Sequence, residues 1–185
     1  MESNRLRWAA AACLASALLG AALLPSFVFT ESLVLQLGIP LVSLALYLFI
    51  LFTFRDLLME RFGFPLPGWL FAGLVVGHAG LVVSSVLDEV VPGLIPLSIG
   101  LVWTSSFIVC VSLVVFGILV LRIGPRFGIL GRAWAVFAIL EGLLFGTLVF
   151  MASAILIAVL ADLILGTLFF KAAESRPATR LEPAV

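Results

Sequence analysis

Three ionisable side chains lie inside long apolar runs of the sequence: His78, Glu141 and Asp162. An ionisable group in hydrocarbon is costly, and such groups usually mark a functional site in membrane proteins. Histidine exchanges protons near neutral pH, and a carboxyl group in a medium of low dielectric constant can hold a proton at working pH. The three residues therefore predict an intramembrane polar site that forms a path for protons or cations.

Each of these residues also has a structural interpretation. Arg132 could reach back along a helical hairpin and form an ion pair with Asp162. Glu141 could be protonated and hydrogen-bonded to a neighbouring helix or lie at a subunit interface. His78, which lies between glycines, could be a packing residue whose ring nitrogens are satisfied locally. The sequence leaves these alternatives open.

The segment Trp103, Thr104, Ser105 and Ser106 is the most polar stretch of the fourth apolar run. It could line a pocket for a ligand or water, since such pockets combine an apolar wall with a few polar groups. Alternatively, serine and threonine hydroxyls bond to carbonyls of their own helix at little cost. Both interpretations remain open at this point.

Two pairs of glycines are spaced four residues apart, Gly73 with Gly77 and Gly142 with Gly146. Small residues at this spacing allow helix backbones to approach closely in a membrane. They predict helix packing and would place the third and fifth helices near the centre of a bundle. The same spacing is typical of a homodimer contact.

No enzyme motif is present in the sequence. There is no His-Glu-x-x-His or Gly-x-Ser-x-Gly, and the single histidine excludes haem ligation by two histidines. Cys13 and Cys110 lie in apolar runs without Cys-x-x-Cys spacing. We therefore predict no catalytic residue, no metal site and no cofactor. No basic run indicates binding to nucleic acid.

The composition of this 185-residue chain indicates a lipid environment. Hydrophobic residues make up 64% and charged residues 11%, against about 45–50% and about 25% in soluble domains. So many apolar side chains require lipid around most of the chain. One helical crossing takes about 20 residues, so the length accommodates about six crossings and no separate soluble domain.

The predicted fold class is an all-α polytopic membrane protein, a bundle of six transmembrane helices. Residues 1–185 form one domain, with a short cytoplasmic tail at 171–185 and helices at about 8–24, 33–54, 68–87, 95–121, 129–147 and 150–170. The last apolar stretch, 133–170, would be about 57 Å long as one helix, nearly twice the hydrocarbon thickness of about 30 Å. It is expected to be a hairpin. The first run could be a signal peptide, but its length and the lack of an Ala-x-Ala site favour an uncleaved helix.

Charge placement supports six crossings and sets the orientation. With six crossings all ten Lys and Arg residues fall on one side, and cytoplasmic loops collect such residues. Both termini are then cytoplasmic. Trp8, Trp69 and Trp134 lie beside these cations, where indole rings are expected at the headgroup level. Nine of the ten cations are arginine, which suggests a bacterial source and hence the bacterial inner membrane.

Three classes of function remain open from the sequence. The first is a small transporter or channel in which His78, Glu141 and Asp162 converge on an interior path. The second is a non-catalytic membrane subunit that packs through its glycine faces in a homo-oligomer or a larger complex. The third is an intramembrane enzyme acting on a lipid or quinone, with a lateral opening beside Trp103. The lipid bilayer is a partner in all three.

Overall fold

In the computed structural model, residues 3–29, 33–123, 128–147 and 151–175 are described. Every regular element in these ranges is helical. The α-helices are α1 Ser3–Phe29, α2 Leu33–Phe62, α3 Gly68–Val90, α4 Ile95–Ile123, α5 Gly128–Gly146 and α6 Met151–Glu174, with a short 3-10 helix Pro92–Leu94 before α4. Of the predicted tail, residues 171–174 belong to α6, and residues 176–185 lie outside the described part.

Five segments within the described ranges are long and apolar enough to cross a membrane. They are Leu37–Phe62, Gly68–Asp88, Ile95–Ile123, Gly128–Gly146 and Ser153–Glu174. This is the architecture of a multi-pass membrane protein. The helix α1, with 27 residues, is not one of the five.

The long apolar stretch 133–170 consists of two helices, as its length and the charge pattern predict. The helix α5 ends at Gly146 and α6 begins at Met151. The N–H of Thr147 donates to the Leu144 carbonyl oxygen at 3.2 Å and closes the last turn of α5. Both α2 and α6 continue beyond the apolar runs, because backbone hydrogen bonding does not stop where the apolar side chains stop.

The helices are arranged as a ring. Among the described residues, close backbone contacts join each helix to its neighbours in sequence, and α6 also packs along α1. No helix occupies the centre of such a ring, so the expectation that α3 and α5 would be central is wrong. The interior is occupied instead by side chains from helices on opposite sides.

The glycines of α3 lie against α4. A Cβ atom on Gly73 would come within 2.6 Å of the Ser112 hydroxyl oxygen, and one on Gly77 within 2.7 Å of a Val109 methyl carbon. Both distances are shorter than real Cβ contacts. The two helices can approach this closely only because these positions carry no side chain.

The glycines of α5 lie against the other side of α4. A Cβ atom on Gly142 would be 3.0 Å from the Cys110 carbonyl oxygen, and one on Gly146 would be 2.8 Å from the Cys110 sulfur. Within α4, a Cβ atom on Gly117 would be 2.7 Å from the Ala135 carbonyl oxygen. The four glycines singled out in the sequence thus lie in interfaces within the chain, and Gly117 adds a third close approach between α4 and α5.

One end of the ring, here called the basic end, holds the start of α1, α3 and α5 and the end of α2, α4 and α6. The described cations lie at or near it: Arg5, Arg7, Arg55, Arg61, Arg122, Arg132 and Lys171. Polar contacts join neighbouring helices here. A nitrogen of Arg5 lies 2.8 Å from a carboxylate oxygen of Asp56, and the Ser3 hydroxyl donates to the Ala173 carbonyl at 3.2 Å. These contacts connect α1 to both of its neighbours in the ring.

Candidate intramembrane polar site

Five polar side chains from five helices meet in the interior of the ring. Tyr47 of α2 stacks on His78 of α3, with ring centroids 3.7 Å apart and an interplanar angle of 19°. Glu141 of α5 and Asp162 of α6 lie near enough to Tyr47 for a charge on either carboxyl group to act on its phenol, and they lie similarly near to each other. The Ser16 hydroxyl of α1 hydrogen-bonds to Asp162. We call Ser16, Tyr47, His78, Glu141 and Asp162 the polar layer.

The tautomer of the neutral His78 ring is set by a hydrogen bond within its own helix. Its Nδ1 lies 2.9 Å from the Leu74 carbonyl oxygen. A carbonyl oxygen can only accept, so Nδ1 carries the proton and Nε2 of the neutral ring is an acceptor. His78 can therefore gain and lose a proton at Nε2 without breaking its bond to Leu74.

A regular spacing explains why these residues face the interior. On α2, α5 and α6, an aromatic residue lies seven positions from the polar residue, towards the basic end. The pairs are Tyr47 with Phe54, Glu141 with Trp134, and Asp162 with Phe169. Seven residues make almost two helical turns, so both members of a pair lie on nearly the same face, about 10.5 Å apart along the axis.

The aromatic members pack together in the interior. The ring of Phe54 contacts Trp134 at 4.6 Å, Phe116 at 5.6 Å and Phe169 at 6.1 Å between centroids. Phe116 and Trp134 lie 5.2 Å apart. All four are buried, with at most 6% of any residue exposed. We call Phe54, Phe116, Trp134 and Phe169 the aromatic layer, and it fills the ring between the polar layer and the basic end.

Of the three tryptophans expected at the headgroup level, Trp134 differs from the other two in its exposure. Trp8 and Trp69 are 71% and 62% exposed, in keeping with indole rings at a headgroup level. Trp134 is 6% exposed and belongs to the aromatic layer. Its predicted position at the headgroup level is wrong, because the face of α5 that carries it turns towards the interior.

The polar layer and the aromatic layer differ in accessibility. All five residues of the polar layer are half-buried, whereas the four residues of the aromatic layer are buried. The polar layer offers two carboxyl groups, a phenol, an imidazole and a hydroxyl, which can hold a proton or share a small cation. Within the described ranges, no three His, Cys, Asp or Glu side chains come together as a set that could hold a metal ion.

The segment Trp103–Ser106 does not form a common lining. Trp103 and Thr104 are exposed, whereas Ser105 and Ser106 are buried. The Thr104 hydroxyl donates to a carbonyl of its own helix at 2.8 Å, and Ser105 packs against α3. The Ser106 hydroxyl is buried without a hydrogen-bond partner among the described residues. These side chains thus point to both sides of α4.

A groove of about 350 Å³ opens at the basic end. Its lining consists of Leu57, Arg61 and Phe62 of α2, Gly128, Ile129 and Leu130 of α5, Leu168, Lys171 and Ala172 of α6, and Ser175 directly after α6. We call this the basic-end groove. Sequence reasoning did not identify it, because it joins helices that are distant in the chain.

Two members of the polar layer were not predicted from the sequence to belong to the intramembrane polar site. Tyr47 and Ser16 are uncharged, and single polar residues are common in membrane helices. The seven-residue spacing between Tyr47 and Phe54 repeats the spacing found around Glu141 and Asp162, and this pattern could have indicated Tyr47. We find no comparable signal for Ser16.

Comparison with known proteins gives no match: no family model, no curated protein and no solved structure is similar to this chain. The functional interpretation therefore depends on the arrangement of its own residues.

Proposed function

We propose that this protein is a small transporter that moves protons, or another small cation, through the polar layer. The observation that carries the proposal is the meeting of five polar side chains, from five helices, in the interior of the ring. Residues that served only to join one pair of helices would be distributed over separate interfaces. Convergence on one interior position is typical of a pathway or binding site.

The chemistry of the layer supports a proton relay. Nε2 of His78 accepts a proton, the stacked Tyr47 both donates and accepts through its hydroxyl, and the two carboxyl groups exchange protons. Tyr47 lies between His78 and the carboxyl groups in this sequence of interactions. We propose that the phenol of Tyr47 relays protons between the imidazole and the carboxyl groups.

The aromatic layer favours a gated transporter over an open pore. Its four buried rings lie between the polar layer and the basic end. We expect an ion held at Glu141 or Asp162 to reach that end only when the rings move apart. Exchange of the polar layer with the two sides of the membrane is therefore expected to alternate.

For the topology we propose six crossings with the basic end in the cytoplasm. The described cations cluster at that end, as the preference for Lys and Arg in cytoplasmic loops requires. A helix of 27 residues measures about 40 Å, enough to cross the hydrocarbon of about 30 Å. Its close packing along α6 supports α1 as the sixth crossing. The preference for arginine supports a bacterial inner membrane.

The alternative of a packing subunit receives less support. That function would leave a glycine face open for a partner, but both predicted glycine pairs are covered by α4. The alternative of a lipid or quinone enzyme depends on a lateral pocket beside Trp103, where the side chains of the segment point to both sides of α4.

The test is proton flux in liposomes that contain the full chain and a pH-sensitive dye. We expect Glu141→Gln and Asp162→Asn each to lower the flux at least about ten-fold, since a missing proton carrier interrupts a relay. Glu141→Asp keeps a carboxyl group and should retain part of the flux. The matched control is Glu174→Gln, which removes an exposed carboxylate at the end of α6 and should leave the flux unchanged.

Two results would contradict the proposal. One is the failure of folded wild-type protein to move protons under either polarity of membrane potential. The other is equal flux in wild type and both variants. In either case the polar layer serves packing, and the subunit alternative becomes the better one.

A further inference from the structure

The basic-end groove lies at the mouth of the ring. It is bounded by α2 on one side and by α5 and α6 on the other, and α2 is not adjacent to either of these helices in the ring. Leu57 comes one turn after Phe54, and Lys171 comes two residues after Phe169. The groove therefore lies directly beyond the aromatic layer, on the side opposite to the polar layer.

The charged side chains in the described lining of the groove are all positive. Its described lining contains two cations, Arg61 and Lys171, and no acidic residue. Arg61 is held in place by α6, since its guanidinium donates to the Ser175 hydroxyl at 2.7 Å and to the Ala172 carbonyl. These contacts use two of the five N–H donors of a guanidinium. Lys171 is exposed on the same helix end.

The opposite wall adds to this positive potential. It is formed by the first turn of α5, and the N-terminal end of a helix carries a partial positive charge. A volume of about 350 Å³ lies within the range of small-molecule sites, about 300–1,000 Å³. Guanidinium and ammonium groups at such a site recognise carboxylate and phosphate groups.

We propose that the basic-end groove binds a small soluble anion of the carboxylate or phosphate type. A basic mouth disfavours metal cations and attracts anions. Of the species left open by the proposed function, it therefore favours protons, with an anion as the co-substrate. The transport role rests on the proposed function, in which the polar layer carries the protons. The substrate class is then a small organic or inorganic anion moved together with protons. The binding itself does not require transport.

The first test is equilibrium binding of inorganic phosphate to the purified full chain, at constant ionic strength, followed by thermal shift. We expect phosphate to raise the melting temperature, and Lys171→Gln to weaken its apparent affinity about five-fold, as the loss of one favourable exposed charge would. Arg7→Gln is the matched control, because Arg7 is exposed on α1 and does not line the groove. Arg61 is left intact in this test, since it also holds α6.

Several results would overturn the proposal. One is an affinity for phosphate that is the same in Lys171→Gln as in wild type, and another is equal weakening by Arg7→Gln, which would indicate general surface charge. Stabilisation by phosphatidylglycerol vesicles but not by phosphate would assign the groove to a lipid headgroup.

Liposome flux separates this proposal from the one on which its transport role rests. A phosphate gradient should drive proton movement, and Lys171→Gln should raise the half-saturating phosphate concentration about five-fold. Glu141→Gln should abolish the movement and leave phosphate affinity unchanged. If proton flux persists but phosphate neither binds nor changes the flux, the anion site is refuted and the proposed function is not. Phosphate binding without any flux would refute the proposed function and leave the groove as an anion site.

Discussion

The aromatic layer and the polar layer occupy the same interior, on nearly the same faces of α2, α5 and α6, two turns apart. The aromatic layer is buried and packed ring against ring. The polar layer is half-buried, with a hydrogen bond between Ser16 and Asp162 and a stacked pair of Tyr47 and His78 among its described contacts. Helices in lipid associate mainly through van der Waals packing, and interhelical hydrogen bonds add only about 0.6 kcal/mol on average. We infer that the aromatic layer stabilises the ring, while the polar layer contributes chemistry at little gain in stability.

Removal of the Phe54 side chain, which lies at the centre of the aromatic layer, should have the largest effect on the free energy of unfolding. Phe54 is 1% exposed and contacts the three other aromatic residues of the layer. Phe54→Ala leaves a large cavity that the rigid rings around it cannot fill. We expect a loss of about 3–5 kcal/mol in the free energy of unfolding, measured by denaturant unfolding in mild detergent.

The control for Phe54→Ala is Phe107→Ala. Phe107 is 67% exposed on α4, so its truncation removes few contacts within the chain. It should change the free energy of unfolding by less than about 0.5 kcal/mol. Equal destabilisation by both substitutions would mean that the aromatic layer has no special part in stability, and the comparison of the two layers would fail.

A smaller effect is expected at the interface that supports the aromatic layer from α4. A methyl group at Gly117, next to Phe116, would meet the Ala135 carbonyl oxygen at 2.7 Å, and a backbone atom cannot rotate away. Gly117→Ala should cost about 1–3 kcal/mol by forcing α4 and α5 apart. Gly100→Ala, on the same helix with open space around it, should be neutral or slightly stabilising because alanine is the better helix former.

Thermal unfolding of the two glycine variants side by side measures this difference. If Gly117→Ala were as stable as Gly100→Ala, the two helices would have room to adjust. The aromatic layer would then not depend on close approach of α4 and α5.

Hydropathy and charge were sufficient to predict the helices. Apolar runs located the crossing segments, and the placement of cations divided residues 133–170 into two helices, which the structure contains. These signals are strong because hydrocarbon excludes charge and fixes the length of a crossing. The ends of the helices were predicted less well, since polar side chains at the headgroup level do not interrupt backbone hydrogen bonding.

The rotation of each helix about its axis was much harder to predict. Nearly every face of these helices is apolar, so periodicity does not distinguish lipid from interior. Trp134 was assigned to the headgroup level because it lies beside Arg132, although it is buried. His78, Glu141 and Asp162 were singled out because charge in lipid is costly. Tyr47 and Ser16 were not assigned to the polar site, because an uncharged polar group in a membrane helix carries no such cost.

The smallest loss in the free energy of unfolding is expected in the polar layer. It tests the comparison of the two layers at a polar residue. Ser16→Ala removes the hydroxyl that hydrogen-bonds to Asp162 across α1 and α6. We expect a loss of about 0.6 kcal/mol in the free energy of unfolding, the average for such bonds in a membrane, together with a measurable fall in proton flux. Thr167→Ala is the control, because the Thr167 hydroxyl bonds only to its own helix at the Leu163 carbonyl. It should alter neither quantity. A loss at Ser16 as large as that at Phe54 would mean that the polar layer is a structural core, and its assignment to transport would have to be abandoned.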